Sequence, residues 1–206
     1  MPSLWTPSDN LLLASKSATR LALLVSAGIA VETQNSGLDE RAVEAAAEQE
    51  RLDPPALAQR LADEKALAVS RRHPERVVLG ADQVLEGAAG EIFHKPADRE
   101  AARAQLMKLS GRSHALHSAG SLAIGGQVVE RFSSSAYLAM RPLTEEAVDL
   151  YLDLAGPDVL KSVGVYQVEG FGVHLFETVE GDHSTILGLP LLPLLAALRR
   201  LGCLSL

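Results

Sequence analysis

Short apolar runs alternate with longer amphipathic segments along the N-terminal part of the chain. Runs of strand length occupy residues 10–14, 29–33 and 76–82. Between the first two, apolar residues at helical spacing predict a helix from an N-cap at Ser17 to Ala27, ended by Gly28. An alanine- and glutamate-rich helix is expected up to about Arg51, and a further helix from Pro54 to about residue 72.

The C-terminal part continues the mixture of strands and helices. Helices are predicted over 98–109, over 144–154, and from 188–190 to about Gly202. Long strands over 114–124 and 128–140 are joined at Gly125-Gly126, a hairpin signal. Two short strands are expected at 163–168 and 172–177. The pattern therefore predicts a single α/β domain over residues 1–206 with a partly antiparallel sheet.

Composition narrows the class of protein. The chain has 206 residues, 47% of them hydrophobic and 22% charged, which suits a globular core or two lobes of one domain. One cysteine excludes an intramolecular disulfide and fits a reducing compartment. The longest apolar stretch, 187–198, is too short to span a membrane, and no signal-peptide pattern opens the chain, so a cytoplasmic location is expected.

The net charge of -7 limits the kinds of ligand that the protein is expected to bind. A general nucleic-acid binder needs a basic face, so the charge argues against one. A small anionic ligand needs only a few basic groups in one cleft and stays compatible with it.

A first candidate anion site lies where the first strand leads into the first helix. Ser15, Ser17 and Arg20 surround the predicted helix N-terminus, whose free N–H groups and dipole favour an anion. The alternative is an ordinary capped helix. Arg20 near the positive helix end is slightly unfavourable for folding alone, which favours a ligand.

Asp82 is the most informative candidate for catalysis. It ends an apolar run that predicts a buried strand, and open α/β sheets bind ligands at strand ends. Gly80 and Ala81 are small enough for a ligand to approach the backbone. Lys95 follows across a turn, and an acid with a lysine suits phosphate chemistry. The alternative is a turn acid and an exposed lysine.

Weaker signals complete the set of candidates. Glu40 follows Asp39 in a polar loop, where a solvated turn or a helix cap is the alternative. Lys65 is flanked by acids on a helix, where a surface ion pair is the alternative. Lys161 precedes a predicted strand and Glu169 follows it. Together, these groups offer the cations and carboxylates that a triphosphate and Mg²⁺ require.

The histidines offer no comparable signal. His114 and His117 are three residues apart on a predicted strand, so they face opposite sides and make a poor metal pair.

In their order along the chain, these motifs resemble the Maf family, a group of nucleotide pyrophosphatases related to the inosine triphosphate pyrophosphatases. The resemblance runs from Leu12 to Gly202. It is carried by LASKS at 13–17, Asp39-Glu40, Lys65-Ala66, GADQ at 80–83, Lys95-Pro96, Leu109-Ser110-Gly111, 161–166, Glu169-Gly170 and GLPL at 188–191.

The resemblance implies an elongated two-lobed α/β domain around a central mixed sheet, of the inosine triphosphate pyrophosphatase type. It implies hydrolysis of the α–β phosphoanhydride of a nucleoside triphosphate, with a divalent metal, Mg²⁺ or Mn²⁺. Asp82 matches the family's proton acceptor, and Asp82 and Glu40 match acids at the metal. The phosphate-side candidates are Ser15, Ser17, Arg20, Lys65, Lys95 and Lys161.

Base preference within the family is implied by three positions, occupied here by Thr19, Gln83 and Glu169. Gln83 and Glu169 resemble the branch that acts on 7-methyl-GTP, whereas another branch prefers dTTP and UTP. A carboxylate accepts hydrogen bonds from guanine N1–H and the 2-amino group and complements a methylated, positively charged base. Thr19 departs from both branches, as do Ala18 and His94 from the usual proline and glycine.

Other functions remain open at this point. The substrate could be 7-methyl-GTP or another modified nucleotide, and a dTTP/UTP pyrophosphatase is the alternative within the same class. A non-catalytic regulator of septum formation is the alternative from another class, because the family has been tied to cell division. A plain nucleotide-binding module would bind tightly without turnover. The resemblance also allows a homodimer.

Overall fold

A computed structural model describes residues 4–206, in which helices and strands alternate. The strands are β1 Leu11–Leu13, β2 Val31–Thr33, β3 Val78–Glu86, β4 Ile92–Phe93, β5 Ser113–Ile124, β6 Gln127–Met140 and β7 Phe176–Glu180. The helices are α1 Ala18–Ser26, α2 Glu40–Glu50, α3 Pro54–Ser70, α4 Arg99–Leu109, α5 Glu145–Ala155, α6 His183–Ile186 and α7 Leu191–Arg200.

The strands form one mixed sheet in the order β2-β1-β3-β5-β6-β7, with β4 paired to β3. β1 runs parallel to both β2 and β3. β4 is antiparallel to β3, and β7 is antiparallel to β6. Parallel neighbours need a crossover connection, which α1 supplies between β1 and β2. The prediction of an α/β fold with a central, partly antiparallel sheet is confirmed.

Contacts divide the chain into two compact units. The first unit comprises the chain up to Gln83 with Ser118–Ser134 and His183–Leu206, and the second comprises Val84–His117 with Ser135–Asp182. In the first unit, Leu11 and Leu13 lie in one apolar cluster with Leu79, whereas Leu12 packs on the opposite face against α3. Burial on both faces explains why β1 is a continuous apolar run.

Helix α3 packs directly on β3 at Gly80. A Cβ added to Gly80 would lie 2.2 Å from the carbonyl oxygen of Ala62 and 2.5 Å from the nitrogen of Ala66. From the sequence, the small size of Gly80 was predicted to let a ligand approach the backbone. That prediction was wrong, because the backbone of α3 fills the space.

Helix α7 begins after Pro190 and buries Leu194, Ala197 and Leu198 in the core of the first unit. Its apolar sequence therefore reflects core packing. From residue 4 onward, the chain has no helix that is both long enough and apolar enough to cross a membrane.

The predicted strands at 163–168 and 172–177 were wrong. Residues 163–170 form turns and irregular loop, 171–175 form a 3-10 helix, and β7 begins only at Phe176. Val165 has a φ of 60°, and the ring of Tyr166 folds over Gly164. These apolar residues are buried by a folded loop, and burial alone does not require a strand.

Candidate functional site

Asp82 lies in the middle of β3, as its fifth residue, and not at the strand end that the sequence predicted. The strand continues because Val84 and Leu85 are also buried and because β4 pairs with Leu85 and Glu86. The side chain of Asp82 is only 12% exposed. A carboxylate this deeply placed needs a charged or hydrogen-bonding partner.

Lys65 provides that partner from α3. Its Nζ lies 2.5 Å from Oδ1 of Asp82 and 3.0 Å from Oε1 of Glu40, the first residue of α2. The lysine side chain is 7% exposed, so the alternative of a surface ion pair was wrong. The structure thus brings together three of the predicted residues around one ammonium group.

Arg20 is fixed by three hydrogen bonds within the same unit. Nε donates to the carbonyl oxygen of Gly188 at 2.8 Å, and Nη1 donates to the carbonyl oxygen of Ala81 at 2.9 Å and to Oγ of Ser15 at 3.3 Å. Within residues 4–206, Nη2 has no acceptor and can serve an anion.

The charge of Arg20 persists in this setting. Burial lowers the pKa of the Arg20 guanidinium, and the negative charges of Asp82 and Glu40 oppose that shift. An arginine whose pKa is lowered from such a high starting value stays protonated. Arg20 therefore presents a permanent positive charge close to the two carboxylates.

Ser17 caps α1, and Ser15 holds the backbone of that cap residue. Oγ of Ser17 accepts from the Arg20 N–H at 3.3 Å, and Oγ of Ser15 accepts from the Ser17 N–H at 3.2 Å. The capped-helix alternative thus describes part of their role. A hydroxyl that accepts still has its own O–H to donate, so both remain compatible with a phosphate.

Gln83 is held by the segment before Gly188. Its Nε2 lies 3.0 Å from Oγ of Ser118 and 3.0 Å from each of the carbonyl oxygens of Thr185 and Ile186. These contacts occupy the donor end of the amide and leave Oε1 as an acceptor. Thr19, the second residue of α1, is half-buried.

The remaining predicted residues, Lys95, Lys161 and Glu169, belong to the second unit. All three are exposed. Lys161 lies in a 3-10 turn, not before a strand, and its Nζ is 2.6 Å from Asp158. Their roles toward phosphate and base remain predictions.

Asp82 and Glu40 are the carboxylates that could hold part of the coordination shell of a divalent metal. Residues 4–206 contain no group of three or more His, Cys, Asp or Glu side chains able to hold a metal ion. Mg²⁺ commonly uses one or two carboxylates and completes its shell with phosphate oxygens and water. Glu40 and Asp82, which converge on the same ammonium, supply that number of oxygen ligands.

The second unit contains a partly buried hydrogen-bond chain that was not predicted from the sequence. His117 bridges Ser135, 2.8 Å from Nδ1, and Glu86, 2.8 Å from Nε2. Nothing in the local pattern signals it, because the three residues come from three different strands.

Comparison with known proteins places these features in a family. A family model described as Maf-like protein matches residues 10–201. A nucleoside triphosphate pyrophosphatase of Rhodopseudomonas palustris (strain BisB18) is 53% identical over 96% of this chain and 96% of its own. A 7-methyl-GTP pyrophosphatase of Brucella abortus biovar 1 (strain 9-941) is 50% identical over 95% and 98%, respectively.

A solved structure, the Staphylococcus aureus Ham1 protein, aligns more distantly. It is 12% identical, with a TM-score of 0.41 over 64% of this chain and 72% of its own. A similarity at that level carries no conclusion about activity.

Proposed function

The chain belongs to the Maf family, and from this premise we propose that it is a metal-dependent nucleoside triphosphate pyrophosphatase acting on 7-methyl-GTP. The reaction is hydrolysis of the α–β phosphoanhydride to a monophosphate and pyrophosphate. The observation that carries the proposal is the buried ammonium of Lys65 between Asp82 and Glu40, beside the fixed guanidinium of Arg20.

Asp82 takes the proton of the attacking water in this proposal. Its Oδ1 is held by Lys65, whereas Oδ2 has no donor within residues 4–206 and can accept that proton. The water oxygen bonds to the α-phosphorus, and the electron pair of the broken bond leaves with pyrophosphate. By accepting this proton, Asp82 makes the water a stronger nucleophile.

The cations act on the negative charge of the triphosphate. Lys65 is buried, Arg20 is half-buried, and both are already in position, so their attraction to phosphate oxygens is weakly screened and requires little reorganisation. A divalent ion held by Glu40 and Asp82 would neutralise further phosphate charge. Ser15 and Ser17 contribute hydroxyl donors.

The base preference rests on Glu169 and Gln83. Glu169 is an exposed carboxylate, and Gln83 retains only its acceptor end, so both groups suit the donors on the guanine edge. A methylated guanine also carries positive charge, which a carboxylate stabilises. The Brucella relative that is 50% identical to this chain is named 7-methyl-GTP pyrophosphatase, and this name supports the same substrate for the chain.

The test is pyrophosphate release from 7-methyl-GTP, GTP, UTP, dTTP and CTP with Mg²⁺ or Mn²⁺. We expect preference for 7-methyl-GTP and complete loss of activity with EDTA that either metal restores. Asp82→Asn should lower kcat roughly 100- to 10,000-fold, since it removes the proton acceptor. Asp153→Asn, at an exposed carboxylate, is the matched control and should leave kcat unchanged.

Two results would overturn parts of the proposal. Preference for UTP or dTTP would assign the chain to the other substrate class. No turnover of any nucleotide with either metal would contradict the pyrophosphatase itself and favour the non-catalytic regulator.

A further inference from the structure

Two aromatic side chains are largely exposed in the part of the chain that the structure describes. The sequence has four Phe, three Tyr and one Trp. Phe171 is 51% exposed and Tyr137 is 57% exposed, whereas the other rings are buried or half-buried. One exposed ring is ordinary in a soluble protein, so its surroundings decide whether it has a use.

One acidic residue lies close to Phe171 in the sequence. Glu169 lies two residues earlier, which places the two Cα atoms within about 7 Å of each other. Its carboxylate is exposed and makes no hydrogen bond or ion pair within residues 4–206. An aromatic ring and an uncommitted carboxylate are thus displayed on the same short segment.

The backbone of that segment is held in place. The Gly170 N–H donates to the carbonyl oxygen of Gln167 at 3.1 Å, and the Val173 N–H donates to that of Gly170 at 3.3 Å. Gly172 is buried so closely that an added Cβ would lie 2.5 Å from the carbonyl oxygen of Gln167. Phe171 is therefore presented by an ordered turn.

From this juxtaposition we infer that Phe171 stacks on the methylated guanine base whose edge Glu169 binds. The inference rests on the proposed function and adds the residue that recognises the face of the base. A positively charged planar ring is attracted to the negative face of an aromatic side chain, and a carboxylate binds its N–H donors. Thr19 has no ring and cannot supply this contact.

Tyr137 is the competing ring. It lines a depression of about 180 Å³ with Glu86 and His114 in the second unit. The Oε2 atom of Glu86 is already paired with Nε2 of His117 at 2.8 Å, so this carboxylate is less available to a ligand. The chemistry of a cationic base therefore favours Phe171.

Steady-state kinetics on four variants test the inference. Phe171→Leu keeps an apolar side chain but removes the aromatic face, and should raise KM for 7-methyl-GTP roughly tenfold with little change in kcat. KM for GTP, which lacks the positive charge, should rise much less. Phe171→Trp should retain or lower KM for 7-methyl-GTP, since Trp is the best partner for a cation.

The control substitutions are made at side chains with an exposed fraction similar to that of Phe171. Val173→Ala alters another side chain of the same turn that is 51% exposed, and Tyr137→Leu removes the other exposed ring. Both should leave KM unchanged. If Phe171→Leu behaves like Val173→Ala, or if the loss appears in Tyr137→Leu instead, the inference is wrong while the pyrophosphatase stands.

A failure of the proposed function has a different signature. In that case wild type releases no pyrophosphate from any nucleotide. Calorimetric binding of 7-methyl-GMP to wild type and Phe171→Leu then decides the stacking by itself, and equal Kd values would overturn it.

Discussion

At the scale of single residues, the decisive feature is a lysine whose surroundings are hidden in the sequence. In the sequence, Lys65 follows Glu64 and precedes Ala66 on a predicted helix. An acid next to a lysine on a helix is typical of a surface ion pair. In the fold it is 7% exposed and bridges Glu40 and Asp82. A buried ammonium needs such partners, because burying an unpaired charge is costly.

Removing that ammonium should destabilise the protein. In Lys65→Met, Asp82 is left as a buried carboxylate without its cation, so the free energy of unfolding should fall by about 3–5 kcal/mol in urea denaturation. Lys108→Met, at an exposed lysine, should change it by less than about 0.5 kcal/mol.

A double-mutant cycle separates the ion pair from other effects of the substitution. Lys65→Met combined with Asp82→Asn should be less destabilising than the sum of the two single variants, because neither charge then remains unpaired. Strict additivity would contradict the coupling.

At the scale of elements, the contact of α3 with β3 determines where the site charges lie. Gly80 allows the backbone of α3 to approach at Ala62 and Ala66, and Lys65 then reaches Asp82 two residues along the strand. Arg20 in turn holds Gly188, between α6 and α7, through its backbone carbonyl. Gln83 holds α6 through the carbonyls of Thr185 and Ile186. The site charges thus depend on helix–sheet spacing.

Gly80→Ala tests that dependence. The added Cβ would overlap backbone atoms, which have no rotamer to change, so α3 must shift and stability should fall by about 1–3 kcal/mol or more. The shift should also lower kcat, since it displaces Lys65.

Thermal unfolding and pyrophosphate release measure these two effects. Gly170→Ala is the matched control for stability, because the nearest atom to its added Cβ lies 3.8 Å away. Equal melting temperatures for the two variants would argue against close packing at Gly80.

At the scale of the whole molecule, a mixed sheet runs through a chain that forms two compact units. The second unit buries a cluster of rings in which Nε2 of His114 lies 2.7 Å from the Tyr166 hydroxyl and the rings of Tyr166 and Phe176 pack edge to face. Nδ1 of His114 has no partner within residues 4–206. Desolvation lowers the pKa of His114 to about 4.

This shift predicts a pH dependence of stability. Between an ordinary histidine pKa of about 6.5 and about 4, the unfolded chain binds a proton that the native protein does not, so stability falls as the pH falls. The loss assigned to His114 should be about 2 kcal/mol between pH 7 and pH 5.

Urea denaturation at the two pH values measures the effect. His114→Phe should reduce the difference between them, whereas His183→Gln, at an exposed histidine, should not. An unchanged pH difference in His114→Phe would contradict a neutral, buried His114.

The sequence by itself determined most elements of the fold and the residue types at the site. Helical spacing, caps such as Ser17 and Thr144, and the Gly125-Gly126 hairpin are local signals, and the predicted helices and long strands follow them. Motif order was sufficient to indicate the family. At 163–168 the local pattern predicted a strand, and this prediction was wrong because the apolar residues are buried there without forming one.

Only the tertiary structure decided which of the candidate site residues lie close together. It placed Asp82 within a strand, gave it Lys65 as its cation, and assigned Gly80 to helix packing. It also exposed Phe171 beside Glu169. The reason is physical: propensities and caps act between neighbours in sequence, whereas burial, charge pairing and close approach depend on segments brought together by the folded sheet.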